Sequence, residues 1–222
     1  VAEQLPWRPD LLPNHPAEHP DGMRALPCSG VKPQNVSLRN QKELNMSLHD
    51  VEVGVKRVVA AFQRRPEVAI HADSPAVSRW ESGTRVVTRS GEALSVVTDM
   101  PKELGGAGDQ VTPGWLLRAG IASCAATSIT LAAASEGIKL TALEVYVGSR
   151  SDARGLLGMS ESNGEPVYAG MFDVELRVTI AADGSNPLAL ESLVTKCLSH
   201  SPVPCTLTTA TPFALHVAVT SA

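Results

Sequence analysis

The residues from Pro113 to Glu136 read as a helix with small side chains almost all round, and that one feature dictates how the chain must fold. Ala119, Gly120, Ala122, Ser123, Ala125, Ala126 and Ala132 to Ala134 leave no broad polar face to turn to water. Such a helix is covered on most sides, and its small residues let other backbones approach closely. Thr112 is placed to cap its start, and Pro113 stands at the first helical position, where a missing N–H costs nothing. Gly137 ends it. The low-charge stretch Ile121 to Ser135 inside it is short and rich in Ser and Thr, which favours a core helix over a membrane span.

The rest of the chain supplies what could cover it. Val51, Val55, Val58, Val59 and Phe62 fall at helical spacing and predict an amphipathic helix over 47–65, ended by Pro66. Strands are expected at Val68–Ala72, Ala76–Glu81, Arg85–Arg89 and Ala93–Thr98, joined by turns at Ser82-Gly83 and Ser90-Gly91 as an antiparallel meander. Beyond the central helix, Leu143, Val145 and Val147 alternate with polar neighbours. After a Gly/Ser-rich excursion over 149–170, so do Phe172, Val174, Leu176, Val178 and Ile180. Asn186-Pro187 opens another helix, with Leu190, Leu193, Val194 and Cys197 on its apolar side, broken by Pro202 and Pro204. Phe213, Leu215, Val217 and Val219 predict a last strand. Strands and helices are segregated along the chain, so the fold class is α+β rather than doubly wound.

Two divisions follow: residues 1–46 form a Pro-rich, polar arm, extended or disordered, and residues 47–222 form one domain. A net charge of −4 gives no basic footprint, so neither nucleic acid nor an anionic membrane is expected as a partner. The first thirty residues, interrupted by Pro6, Pro9, Pro13, Pro16 and Pro20, lack an apolar signal core, and the expected compartment is the cytoplasm.

Chemistry has few candidates. Gly105 to Gly108 precede a helix, but no Lys-Ser or Lys-Thr follows them, so a nucleotide cradle is disfavoured. His15, His19 and Cys28 lie in the Pro-rich arm and read as a solvated tail. Cys197-x-x-His200 with Cys205 nearby is one ligand short of a zinc site. No metal and no cofactor is expected. Four cysteines, at 28, 124, 197 and 205, are too scattered for a disulfide scaffold, so each is a small buried hydrophobe or a reactive group. Cys124, among alanines on the central helix, fits either description.

The run Pro101-Lys102-Glu103-Leu104-Gly105-Gly106-Ala107-Gly108, then Thr112-Pro113, then Ser123-Cys124-Ala125-Ala126-Thr127, resembles the organic hydroperoxide resistance and osmotically induced protein family, the OsmC/Ohr-like superfamily. The likeness runs from about Val77 to the C-terminus. It implies an intertwined homodimer in which antiparallel sheets pack around long buried helices, with active sites at the subunit interface. In the peroxidase branches a thiolate attacks an organic hydroperoxide and becomes a sulfenic acid. A second thiol condenses with it, and an external dithiol reductant resets the pair. By this resemblance Cys124 is the first cysteine, and Glu103 is the acid that orients a nearby Arg.

Two departures accompany the likeness. Ser82 stands where the family's Arg is expected, leaving Arg85 or Arg79 as substitutes. The family's second cysteine usually opens a Cys-Pro-Val segment, which here reads Ser201-Pro202-Val203, and Cys205, four residues on, is either a displaced resolving thiol or a packed residue. The expected function is a thiol-dependent peroxidase using Cys124, Cys205, Glu103 and Arg85. The alternative is a non-enzymatic dimer that binds a small apolar ligand after losing the two-cysteine cycle.

Overall fold

A computed structural model describes residues 48–220. The arm expected over 1–46, with His15, His19 and Cys28, lies outside the described residues. The first element is α1 (Leu48–Arg64), matching the predicted amphipathic helix. Pro66 then starts a 3-10 turn, Pro66–Ala69, where a strand over Val68–Ala72 was expected. Proline presets a helical φ at the start of that turn, and among the described residues no strand lies alongside to pair with the segment.

A three-stranded antiparallel meander follows: β1 (Val77–Ser82), β2 (Arg85–Ser90) and β3 (Leu94–Thr98), in that spatial order. Gly83 (φ +53°) and Gly91 (φ +61°) take left-handed conformations in the two turns, as the Ser-Gly pairs required. Much of this sheet is exposed among the described residues, with Trp80 74% and Leu94 69% exposed, whereas Thr98 at the end of β3 is buried.

The central helix α2 spans Pro113–Ser135. Thr112 caps it, its Oγ1 accepting from the Trp115 N–H at 3.2 Å. Gly137 (φ +70°) ends it, and the Ile138 N–H reaches back to the Ala133 carbonyl at 2.8 Å. By length and composition the whole of α2, longer than its low-charge stretch Ile121 to Ser135, would be long and apolar enough to cross a membrane. In this fold it packs against α1, against β4 (Leu140–Arg150), and against α4 (Pro187–Leu198) and α5 (Pro202–Thr208).

β4 pairs with β5 (Phe172–Ala182) as a long antiparallel ribbon, and the 149–170 excursion between them carries a one-turn helix, α3 (Ala153–Leu156). The core lies where Ile129 and Ala133 of α2 meet Leu193 and Cys197 of α4. The inward residues Leu143 and Val145 of β4 and Val178 and Ile180 of β5 close it from the sheet side. Asn186 caps α4 through its side-chain oxygen, which accepts from the Leu188 N–H at 2.9 Å. α4 ends at Leu198, before Pro202, as expected, and Pro202 then stands at the first position of a further short helix, α5.

The strand expected over 213–219 is absent among the described residues. Phe213 is 91% exposed and Val219 92% exposed, and the segment has no strand beside it. Period-two alternation marks a segment able to line one face of a sheet, but a strand exists only where a neighbour supplies the ladder.

Candidate functional site

Two local structures meet the residues singled out from the sequence: the loop between β3 and α2, and the turn between α4 and α5 where it touches α2. The loop is organised by Asp99, a buried carboxylate at the end of β3. Its oxygens accept from Thr84 Oγ1 at 2.6 Å, from the Met100 N–H at 2.8 Å and from the Ala107 N–H at 2.9 Å. Arg85 pairs with it at 3.3 Å and also binds Asp109, so the guanidinium fastens both ends of the loop. Within the loop, Gly106 passes so close to the chain that an added Cβ would lie 1.8 Å from the Met100 carbonyl oxygen. No other residue fits there without moving the backbone.

These contacts set the protonation of the pair. The hydrogen bond from Thr84, followed by that from Ala107, pulls Asp99 down to about 2 against the opposing effect of burial. Hydrogen bonds to Asp109 and then Asp99 push Arg85 further up. Asp99 was not singled out from the sequence. The signal was slight: one acid closing a β-branched run and followed by a loop whose backbone N–H groups need an acceptor.

The second structure centres on Cys124. Its sulfur lies 3.3 Å from Ser201 Oγ and accepts from the Val203 N–H at 3.4 Å. Ser201 is fully buried, and its Oγ also accepts a hydrogen bond from Ser128 Oγ at 3.2 Å. Ser128 was also missed; it lies one helical turn beyond Cys124 and therefore on the same face of α2. The contact between Cys124 and Ser201 is the one pairing among the predicted site residues that the fold brings together.

The others stand elsewhere. Cys205 Sγ donates to the Ser199 carbonyl at 3.3 Å, and its thiol is free, as are those of Cys124 and Cys197. Arg85 is engaged by Asp99 and Asp109, and Arg79 is exposed on β1. Glu103 is exposed in the short 3-10 turn Lys102–Leu104. Cys197 is a core residue whose thiol is pushed up by burial and then by Glu136. His200 turns Nδ1 toward Ser199 Oγ and the Lys196 carbonyl. Among the described residues, no group of three or more His, Cys, Asp and Glu side chains could hold a metal ion.

The fold and the site together define an α+β domain whose central helix presents a cysteine to the turn between two later helices. A family model described as OsmC-like protein matches residues 106–216, half of the sequence, and the chain belongs to that family. None of the curated proteins matches the sequence. Among solved structures, an OsmC-like protein from Mycoplasma pneumoniae is 15% identical, with 64% of this chain and 91% of that one covered and a TM-score of 0.52. An OsmC-like protein of unknown function from Vibrio cholerae is 11% identical, covering 61% and 94% with a TM-score of 0.50. Both likenesses concern the fold. It is an OsmC/Ohr-like fold of antiparallel sheets and helices.

Two predictions follow from the geometry. Because Asp99 is held below its ordinary 3.8, its contribution to stability is present above about pH 4 and is lost as pH falls toward 2. Asp99→Asn lowers the thermal midpoint at pH 7, and the gap from the wild type closes between about pH 4 and pH 2, read by circular dichroism melts. Ser201→Cys places a second sulfur beside Cys124, so mild oxidation gives a 124–201 disulfide, seen as a linked peptide pair in non-reduced digests.

Proposed function

We propose that this protein is a thiol-dependent peroxidase that reduces organic hydroperoxides at Cys124, in an oxidative-stress role, and works as a homodimer. The observation that carries the reading is the environment of Cys124, a half-buried residue whose sulfur meets the Val203 N–H and the Ser201 hydroxyl. Membership of the OsmC-like family supports it, since the resemblance drawn from the loop and helix sequence points to the same thiol.

The chemistry balances with one protein cysteine. The thiolate attacks the distal peroxide oxygen, the O–O bond breaks, and the departing alkoxide takes a proton to leave as the alcohol; Cys124 becomes a sulfenic acid. One sulfur of an external dithiol then displaces water to give a mixed disulfide. The second sulfur displaces the Cys124 thiolate, and the reductant leaves as its disulfide. This one-cysteine cycle is preferred to one resolved by Cys205, because the Cys205 thiol is turned to the Ser199 carbonyl. In the fuller scheme Glu103 and Arg85 tune Cys124; Arg85 would first have to leave its two carboxylates.

One observation favours the second reading, a non-enzymatic dimer holding a small apolar ligand. The polar partners of the Cys124 sulfur are neutral groups, and Ser201 cannot enter a disulfide. Equimolar cumene hydroperoxide separates the two. The peroxidase gains one oxygen at Cys124 by intact-mass analysis, and Cys124→Ser loses hydroperoxide consumption in the presence of dithiothreitol. A wild type that gains no oxygen and consumes no more hydroperoxide than Cys124→Ser leaves the ligand-binding reading.

The dimer is supported by the large apolar side chains left exposed on the meander, Trp80 and Leu94, and on the unpaired 213–219 segment, Phe213, Leu215, Val217 and Val219. Sedimentation equilibrium is expected to give twice the chain mass. A chain truncated after Thr209 is expected to shift toward the monomer.

A further inference from the structure

Ser201 stands at the N-cap of α5, the position where a serine ordinarily accepts a hydrogen bond from a backbone N–H of the first turn, yet its side chain makes no such bond. The Val203 N–H, which that cap would have served, donates to Cys124 Sγ instead. The sulfur has taken the role of capping acceptor, and the Ser201 hydroxyl has been turned inward to meet Cys124 and Ser128.

A serine hydroxyl carries one proton and two lone pairs. The Ser128 hydroxyl donates to Ser201 Oγ, filling one of those lone pairs. Ser201 is wholly removed from water, so its own proton must find an acceptor within the protein. Of its two side-chain partners, Ser128 is already the donor, and the sulfur of Cys124 is what remains. We propose that Ser128 is a positioning residue which, by donating to Ser201, directs the Ser201 hydroxyl proton at Cys124 Sγ. The sulfur then receives two donors, Ser201 and Val203, and this arrangement suits a sulfur acting as nucleophile. The residue that replaces the family's second thiol thereby becomes a hydrogen-bond donor to the first. The inference rests on Cys124 being the reactive thiol of the proposed function, but not on the identity of its oxidant.

The test is alkylation of the full chain by iodoacetamide at one fixed neutral pH, with the rate at Cys124 resolved from those of the other cysteines by peptide mass analysis. Loss of one neutral hydrogen bond corresponds to a rate change of about two- to tenfold. Ser128→Ala slows Cys124 by about that factor, and Ser128→Thr, which keeps the hydroxyl, returns it to near the wild-type rate. Ser201→Ala slows it at least as much. Because Ser128 acts only through Ser201, adding Ser128→Ala to Ser201→Ala produces no further loss. The rate at Cys205, whose thiol bonds to Ser199, is unchanged throughout and reports that the fold around α5 is intact.

The proposal is overturned if Ser128→Ala reacts like the wild type, if Ser128→Thr fails to restore the rate, or if the two substitutions slow the reaction independently. Independent losses would mean that Ser128 merely packs in α2. Iodoacetamide needs no hydroperoxide activity, so a chain inert to cumene hydroperoxide that still shows these rates ends the peroxidase reading and keeps the relay.

Discussion

The packing of α2 against the β4–β5 ribbon on one side and α4 on another is the constraint on which the rest depends. Ile129 and Ala133 occupy the centre of that contact, and both are fully buried. Alanine at 132, 133 and 134 lets the helix seat closely against its neighbours, and burial of the surrounding Leu, Val and Ile side chains supplies the hydrophobic stabilisation. Once α2 is seated, the positions of its other faces are settled. The face that carries Cys124 and Ser128 meets the turn between α4 and α5, so the site follows from the same contact as the core.

Much of this was legible along the chain because period and punctuation agreed. The central helix begins at Thr112-Pro113 and ends before Gly137, and β5 follows its alternating run across Phe172–Ala182. The misreadings share a different cause: they turn on what lies beside a segment. Val68–Ala72 and 213–219 have residues suited to strands, but pairing is a relation between two segments, and no partner strand lies beside either among the described residues. α4 ends before Pro202 as expected, but the sequence did not show that Pro202 opens α5, since proline's effect depends on whether preceding turns already need its N–H.

The site was legible to a different degree. Cys124 stood out by its place in the helix, and Ser201 by the Pro-Val that follows it; the fold joins them at 3.3 Å. Ser128 and Asp99 carried no comparable mark. Each is defined by the hydrogen bonds it makes across long sequence separations, and serine and aspartate are common on surfaces and in turns. Arg85 shows the converse. Its charge and its place in the meander made it a candidate, yet spacing could not reveal that two carboxylates hold it to the loop.

Exchange of a second thiol for a hydroxyl changes what the Cys124 environment can do after oxidation as well as before it. Two thiols at that distance close on each other, and the oxidised sulfur is capped by its neighbour. A hydroxyl in the same place forms no bond to sulfur, so a sulfenic acid at Cys124 would persist until a thiol arrived from outside. The same hydroxyl can donate to the sulfur or to its newly added oxygen. Burial makes that donation hard to forgo, because an unpaired hydroxyl removed from water is costly. The cost of orienting Ser201 is met within the protein by Ser128, one turn along the helix that already forms the core. Rigid placement of α2 therefore does two jobs with one face, burying apolar mass at Ile129 and fixing hydroxyl direction at Ser128.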